Sequence, residues 1–493
     1  MIAGPPAAAA TPIAHATNQV REAVEAARRV QPQWAETPLR ERLSVLKAFR
    51  QRVAAEPERY AERAGGIWAQ PAAEALASQV FPLLEGCRFL ERRAAKILQP
   101  RSLARWSLSR LSLGTRSAQI QREPLGAVLI IAANNLPLFL PGSQALQAIA
   151  VGNAALIKPA ASGQAAAQVF ADALRESGLP DGVMAILPEA PEAGSAAIRE
   201  GVDKVIFTGS VETGHRVHRL AADRGIPCTM ELSGCDAAFV LPGADLAHAA
   251  RAIAFGLSAN RGGTCLAPRR IIIEASSVSR FADKLAAALR HRAEAFAQMP
   301  QPASDEVRRV AAHLETSGAA ILAPCGEAGP RLATGVSPDA PVLAEGIFSP
   351  FAAIIAADFP DGALRADAHN PYALGASVFG PVALAKRFAR RISAGVVTIN
   401  DCVAPTADPA LPFGGRGWSG FGVTRGAEGL LEMTALKTVT AASEKSRRHH
   451  APPNPEDSAL IGALIRAAHG QGYSPGSGRW PKAARLAMRR PRP

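Results

Sequence analysis

The chain of 493 residues lacks the features of a membrane or secreted protein. No apolar run reaches the ~18 residues that a membrane-spanning helix needs, which excludes a transmembrane protein. The opening stretch has neither a basic segment nor a strongly apolar one, so a secretory signal is not predicted. We therefore expect a cytoplasmic protein without stable membrane insertion.

Cysteine and histidine are scarce, with six and ten residues. No two cysteines form a C-x-x-C pair, which argues against a zinc cage and against a disulfide framework. His215 and His218 stand three residues apart, but they are interpreted as surface histidines of a helix, and no other spacing suggests a metal. The sequence predicts no metal site, and a reduced compartment would suit a reactive thiol.

Acidic residues are outnumbered by basic ones, 42 to 55, which gives a net charge of +13. Such a charge can indicate a nucleic-acid partner. Much of it is local, because residues 444–493 carry ten Lys and Arg against three acids. We predict no nucleic-acid binding by the body. The tail, residues 443–493, is interpreted as basic and disordered, with weak adhesion to an anionic membrane or nucleic acid as the alternative.

The composition is otherwise that of a globular protein, with 48% hydrophobic and 20% charged residues. The length exceeds what one core supports, so two or three domains are expected. Apolar positions at three- and four-residue intervals predict helices over residues 12–99. Buried strands are predicted at 127–131, 154–157, 203–207, 270–274, 370–378 and 395–400, with helices at 246–259 and 278–297. The Pro- and Gly-rich stretch 298–339 receives no element.

One cysteine, Cys265, follows the glycine pair Gly262 and Gly263. Two residues without Cβ atoms allow a tight bend and let another molecule approach the sulfur closely, which is how a nucleophile is presented. Taken alone, a cysteine is more simply a small core residue. Glu231, a carboxylate inside an apolar run upstream, suggests the more specific interpretation.

The segments Glu-Leu-Ser-Gly at 231–234 and Asn-Arg-Gly-Gly-Thr-Cys at 260–265 resemble the Glu-Leu-Gly-Gly and Asn-x-Gly-Gln-x-Cys motifs of the aldehyde dehydrogenase superfamily. Further motifs match in order from about residue 122 to 440. The resemblance implies an α/β fold with two Rossmann-like doubly wound domains plus a small β oligomerisation element. It places the cofactor-binding domain at 1–105 and 124–232, the catalytic domain at 233–432 and the oligomerisation strands at 106–123 and 433–442.

The resemblance assigns the chemistry to three residues. Cys265 would attack the aldehyde carbonyl, and Glu231 would activate the water that hydrolyses the resulting thioester. Asn135, in the Asn-Asn-Leu-Pro segment 134–137, would hold the oxyanion, because a neutral amide donor stabilises an alkoxide without neutralising the thiolate. An asparagine in a turn is common, so this position alone would be weak support.

The same resemblance implies NAD or NADP as cofactor. A strand, a G-x-x-x-x-G segment and a helix start follow one another here, and helix N-termini bind phosphate groups. The predicted cofactor-binding residues are Lys158, Gly209, Ser210, Gly214, Phe348 and Glu345.

The sequence departs from the family pattern at three positions. Ala161 replaces the acid that grips the ribose hydroxyls, which should make NADP better tolerated. Gly346 replaces the second glutamate of the Glu-Glu-x-Phe-Gly-Pro motif, which loosens the hydride geometry, and Gly263 replaces a glutamine. These losses support an alternative function, a superfamily scaffold that binds nucleotide or a protein partner without turnover.

No charged residue is predicted beside the substrate tunnel. We therefore expect an apolar small-molecule aldehyde, aliphatic or aromatic, as substrate, and a homodimer or homotetramer by resemblance. The predicted tunnel residues are Leu136, Leu140, Thr264 and Leu266.

Overall fold

A computed structural model of the chain describes residues 12–103, 115–327, 329–442 and 455–469. It divides into two compact units, one with the described residues of Met1–Leu98 and Glu123–Ala435, the other with those of Gln99–Arg122 and Leu436–Pro493. The predicted tail at 443–493 lies outside the described residues except for 455–469, and the predicted strand segment 106–123 is described from residue 115 onward.

Helices account for most of the N-terminal region, as the apolar spacing of residues 12–99 predicts. None of the helices that the structure describes is long and apolar enough to cross a membrane. In chain order the α-helices are α1 (Pro12–Glu36), α2 (Leu39–Ala55), α3 (Pro57–Arg63), α4 (Ala72–Ala75), α5 (Phe81–Leu98), α6 (Phe139–Val151), α7 (Gln164–Glu176), α8 (Pro191–Arg199), α9 (Val211–Ala222), α10 (Leu246–Ser258), α11 (Val278–Arg290), α12 (Gln301–Thr316), α13 (Asp361–Ala368), α14 (Val382–Ala389), α15 (Gly426–Glu432) and α16 (Pro455–His469).

The strands are short and mostly apolar. They are β1 (Arg101–Ser102), β2 (Thr115–Pro124), β3 (Ala127–Ile131), β4 (Ala154–Lys158), β5 (Met184–Ile186), β6 (Lys204–Gly209), β7 (Cys228–Leu232), β8 (Asp236–Val240), β9 (Pro268–Ile273), β10 (Ala320–Leu322), β11 (Arg331–Thr334), β12 (Phe351–Ala356), β13 (Tyr372–Ala373), β14 (Gly375–Phe379), β15 (Val396–Ile399), β16 (Arg416–Gly417), β17 (Gly420–Phe421) and β18 (Thr434–Ala442).

The first large sheet has the order β17-β7-β6-β3-β4-β5. Its five consecutive strands from β7 to β5 are parallel, and β17 runs antiparallel to β7 at the edge. Helices α2, α5, α6 and α7 pack on one face, and α1, α8 and α9 on the other. Strands covered on both faces need apolar residues at every position, which explains the continuous apolar runs of β3 and β4.

The second large sheet has the order β10-β11-β12-β9-β8-β14-β15. All neighbours are parallel except β10, which pairs antiparallel with β11. Apolar clusters lie on both faces, one with α12 to α14 and one with α10 and α11. The predicted α/β fold with two doubly wound sheets is confirmed.

The stretch 298–339 has no element assigned from the sequence. It contains α12, β10 and β11. Its prolines do not break the helix, because Pro300 precedes the first turn and Pro302 lies within it, where the missing N–H costs nothing. The helix predicted at 278–297 ends at Arg290, and β12 was not predicted.

A third, three-stranded sheet has the order β1-β2-β18. β1 and β2 are antiparallel, with Arg101 opposite Ile120. The predicted strand at 433–442 is observed as β18, whose Leu436 and Val439 are 63% and 41% exposed.

Candidate active site

The carboxylate of Glu231 lies buried near the end of β7, and its side chain is 4% exposed. Thr208 of β6 donates its hydroxyl to Oε2 at 3.2 Å, and Thr424 donates to Oε1. Burial raises the pKa of Glu231, while the Thr424 hydrogen bond, the charge of Arg425 and the Thr208 hydrogen bond oppose the rise. A raised carboxyl pKa brings the group closer to the range in which a general base works at neutral pH.

The glycine-rich segment 412–422 brings Thr424 to Glu231. Gly420 of β17 pairs with Glu231 of β7, and a Cβ at Gly420 would lie 1.9 Å from the Met230 carbonyl oxygen. Phe413 and Thr424 exchange two backbone hydrogen bonds of 2.8 and 2.7 Å, which fix the threonine. The sequence predicted no role for Thr424.

The turn before Cys265 is held by Asn260. Asn260 and Arg261 both have left-handed backbones, with φ of 49° and 53°. The Asn260 carboxamide donates to the Asn135 carbonyl oxygen at 2.9 Å and to the Gly263 carbonyl oxygen at 3.1 Å. Its backbone N–H donates to the Glu74 carboxylate at 2.6 Å. These bonds compensate the backbone strain and fix the turn.

Close packing requires the glycine pair, which is a different explanation from the one that the sequence suggests. A Cβ at Gly263 would lie 2.6 Å from the Trp68 indole, and one at Gly262 would lie 2.6 Å from Pro350. Trp68 is 3% exposed, and Arg261 donates to its carbonyl oxygen. The expectation that Gly263 admits an incoming molecule is therefore wrong, because the chain's own tryptophan occupies that side of the backbone.

Asn135 is bound to the cysteine turn directly. It is 4% exposed, and its Nδ2 donates to the Gly263 carbonyl oxygen at 3.2 Å. Cys265 is half-buried and packs against Leu266, Leu374 and Phe413. The structure thus brings Asn135, from the loop after β3, to the turn that presents Cys265.

The charges around Cys265 act in opposite directions. Burial raises the pKa of the thiol to about 12, the negative charges of Asp236 and Glu231 add to the rise, and Arg425 opposes it. Burial thus outweighs the contributions that lower the pKa of the thiol. Glu231 and Cys265 are linked through Thr424, which donates to the Glu231 carboxylate and exchanges backbone hydrogen bonds with Phe413, a ring in the same apolar cluster as Cys265.

Arg425 is a site residue that the sequence analysis misses. It is 7% exposed, and its guanidinium lies over the Phe413 ring at 4.6 Å and the Phe139 ring at 5.7 Å. Nη1 donates to the Thr406 carbonyl oxygen, and Nε has no hydrogen-bond partner among the described residues. Only its place just after the glycine-rich segment could have suggested it.

Two predicted cofactor residues end or follow strands of the first sheet. Lys158 ends β4 and is 8% exposed; burial lowers its pKa, and the charges of Glu189 and Glu192 oppose that shift. Ser210 caps α9, its hydroxyl accepting from the Thr213 N–H at 3.4 Å. Both lie at the carboxyl end of a parallel sheet, where such folds bind ligands.

Gly209 and Gly214 are required by packing. A Cβ at Gly209 would lie 2.7 Å from the Phe207 ring, and one at Gly214 would lie 2.4 Å from the Leu232 side chain. The glycines let α9 approach the sheet closely, which brings its N-terminus near the strand ends.

The predicted residues of the segment 345–350 make different kinds of contact. Phe348 packs edge-on against Trp68 at 5.8 Å, and its N–H donates to Glu306 at 2.9 Å. Glu345 forms a half-exposed ion pair with Arg309 at 2.8 Å. Gly346 has φ of 73°, and a Cβ there would lie 2.8 Å from the Tyr372 hydroxyl.

The four predicted tunnel residues differ in their contacts. Leu266 contacts Cys265, and Thr264 donates its hydroxyl to the Ala259 carbonyl oxygen at 3.1 Å. Leu136 and Leu140 are half-buried and pack against the helical core of the first sheet. Among the residues described here, no group of three or more His, Cys, Asp or Glu is placed to hold a metal ion.

Comparison with known proteins decides the family. The profile of the Aldehyde dehydrogenase family matches residues 7–439. The chain belongs to the aldehyde dehydrogenase family. Its relatives include a "4,4'-diapolycopene aldehyde oxidase" of Methylomonas sp, 28% identical over 87% of this chain and 82% of the relative. A "Probable coniferyl aldehyde dehydrogenase" of Pseudomonas aeruginosa is 30% identical over 81% and 86%.

Solved aldehyde dehydrogenases agree with the fold. An aldehyde dehydrogenase of Mycobacterium tuberculosis complexed with NAD+ superposes with a TM-score of 0.77 and 28% identity, covering 87% of this chain and 91% of that one. The NADP-dependent glyceraldehyde-3-phosphate dehydrogenase of Bacillus halodurans complexed with NADP gives 0.78 and 26%, over 86% and 91%. The predicted family is confirmed, and this family consists of NAD(P)-dependent oxidoreductases.

Proposed function

We propose that this chain oxidises an aldehyde to the carboxylic acid with NAD or NADP, using Cys265 as nucleophile and Glu231 as general base. The observation that supports the proposal most is the convergence of three distant segments. Thr424 bonds the buried Glu231 carboxylate and pairs with Phe413, which packs in the same cluster as Cys265, and Asn135 is bonded to the turn that carries this thiol.

In the first half-reaction the Cys265 thiol gives its proton to solvent water, and the thiolate sulfur forms a bond to the carbonyl carbon, whose oxygen becomes an alkoxide. The Asn135 amide has two N–H groups, and one already donates to Gly263. The second is available to stabilise the alkoxide. When bound, the oxidised nicotinamide ring supplies a hydride acceptor. As the alkoxide reforms a C=O bond, the carbon loses its hydride and Cys265 is left as a thioester.

In the second half-reaction Glu231 accepts a proton from a water molecule, and the water oxygen bonds to the thioester carbon. The carbon–sulfur bond then breaks, the acid is released and the Cys265 thiolate returns. Thr208 and Thr424 orient the carboxylate for this step through their hydroxyl groups. Water as the acceptor makes the product an acid rather than a coenzyme A thioester.

The carboxyl ends of β4 and β6 fit a dinucleotide. Lys158 offers a cation there, and α9 begins with a serine cap and a close approach to the sheet, which suits a pyrophosphate. Ala161 has no carboxylate that could bind the ribose hydroxyls or repel a 2′-phosphate. We therefore propose that either NAD or NADP serves as cofactor.

An apolar aldehyde is the substrate class that we propose. Leu266, Leu374 and Phe413 surround Cys265 with apolar surface. The predicted domain division, assembly as a homodimer or homotetramer through β18, and a cytoplasmic location belong to the same proposal.

The test is reduced-nicotinamide absorbance with NAD or NADP and a panel of aliphatic and aromatic aldehydes. Cys265→Ala should abolish the signal, whereas Cys325→Ala, a half-buried cysteine whose thiol donates to Leu289, should retain it. Nucleotide binding without any Cys265-dependent signal would instead favour the non-catalytic scaffold.

A further inference from the structure

Arg425 is a buried cation for which the proposed reaction has assigned no task. Burial lowers the pKa of its guanidinium, and the charges of Glu231, Cys265 and Asp408 oppose that shift. Burying an arginine whose Nε has no hydrogen-bond partner within the described part of the chain is costly unless nearby negative charge offsets the cost. Here the groups that supply this charge include the two residues proposed to react.

The backbone holds Arg425 in a fixed relation to both of them. Thr424, the preceding residue, donates its hydroxyl to Glu231 and exchanges two backbone hydrogen bonds with Phe413. The Phe413 ring packs in the same cluster as Cys265 and lies under the Arg425 guanidinium. The Arg425 N–H donates to Gln147 of α6 at 3.2 Å, which fixes its left-handed backbone with φ of 59°.

We propose that Arg425 is a positioning residue whose positive charge keeps Glu231 and, when it forms, the Cys265 thiolate in their charged and reactive states. The inference rests on the proposed function for the roles of these two residues. Arg425 itself touches neither the reacting carbon nor the sulfur in this account. Its charge acts through space. The guanidinium lies against the Phe413 and Phe139 rings, and the low dielectric of these apolar surroundings strengthens its electrostatic interactions.

The other charged groups near the thiol and Glu231 do not provide a positive charge that acts on both of them. Asp236 of β8 adds negative charge at Cys265, and Arg269 of β9 is itself influenced by Asp236 and Cys265. At Glu231 the opposing contributions come from Thr424, Arg425 and Thr208, of which Arg425 alone is charged. Asp408 is the remaining acid near Arg425.

The test compares the full-length variants Arg425→Met, Arg425→Gln and Arg425→Lys with the parent protein. Arg42→Met is the matched control, since Arg42 is also buried, at 8% exposed, and bonds backbone carbonyls of the N-terminal helices. The first readout is the pH dependence of iodoacetamide alkylation at Cys265, followed by peptide mass spectrometry without aldehyde. The second is the acid limb of thioester hydrolysis in the pH–rate profile.

Loss of the charge should move both profiles to higher pH by about one unit in the Met and Gln variants. The pH profiles of the Lys variant should lie closer to those of the parent protein, and the profiles of Arg42→Met should match those of the parent. Should Arg425→Met not fold, Arg425→Gln decides. Unchanged profiles with a raised KM only for aldehydes that carry a carboxylate would overturn the proposal in favour of substrate binding. An equal loss of activity in all three variants, with unchanged pH profiles, would overturn the proposal and show that Arg425 serves only packing. Alkylation needs no turnover, so it separates this proposal from failure of the proposed function.

Discussion

Two regions of the molecule satisfy their polar groups in different ways. In the thiol region, formed by Cys265, Glu231, Asn135 and the residues bonded to them, the buried Glu231 and Asn135 side chains hydrogen-bond other parts of the chain. In the cofactor region, formed by the ends of β4 and β6 and residues 345–350, Lys158 is influenced by two acids only through space. Replacing Thr208 or Thr424 would remove a hydrogen bond from a buried carboxylate, whereas Ala161 and Gly346 carry no polar side chain that needs a partner.

The largest effect is expected at Gly263, because the thiol region has no spare volume there. Gly263→Ala would press a Cβ into the Trp68 ring. We expect a loss of about 2 kcal/mol in unfolding free energy and about 100-fold in kcat/KM. Urea unfolding and steady-state rates measure both. Trp68→Ala in the same chain should recover part of the loss, and additive losses would show that the two residues are not in contact.

Lys158→Met should weaken dinucleotide binding by about 10-fold through loss of a cation at the strand end. Fluorescence titration with reduced NAD or NADP measures the change. The exposed Lys284→Met serves as control, and alkylation of Cys265 should stay at the parent rate. A Cys265 alkylation rate that falls along with cofactor affinity would mean that the two regions are not separate.

Thr424→Val should cost about 10-fold in kcat when thioester hydrolysis limits the rate. The lost hydrogen bond lowers the pKa of Glu231 in the parent, so its removal raises that pKa further and moves the acid limb to higher pH. Thr208→Val should shift it less, because its contribution to the pKa is the smaller one. The reverse order in the pH–rate profiles would contradict the assignment of Thr424 as the main partner.

The smallest effect is expected for Gly346→Ala. The left-handed backbone and the Tyr372 hydroxyl together should cost about 1 to 2 kcal/mol of stability. Gly335→Ala is a matched control, since its φ is also 73° and nothing lies within 4 Å of its Cβ position. Equal losses in thermal unfolding of the two variants would show that Tyr372 imposes no constraint.

The sequence predicted the fold wherever a buried strand and an amphipathic helix alternate, and it pointed to Cys265, Glu231 and Asn135. It failed where a pattern has two physical causes. Gly263 can make room for a ligand or for Trp68. The stretch 298–339 receives no element from the sequence, because its prolines can end a helix or begin one. Trp68 and Arg425 lie far along the chain from Cys265, so only the packing of the chain brings them to the site.

The central claim is that Cys265 and Glu231 divide the reaction into acylation and hydrolysis. Rapid mixing of the Glu231→Gln variant with cofactor and an apolar aldehyde tests it most directly, followed by intact-protein mass spectrometry. We expect about one equivalent of reduced cofactor per chain in a burst, slow turnover afterwards, and an acyl group on Cys265. A variant that turns over at the parent rate, or that forms reduced cofactor without acylated Cys265, would contradict the account.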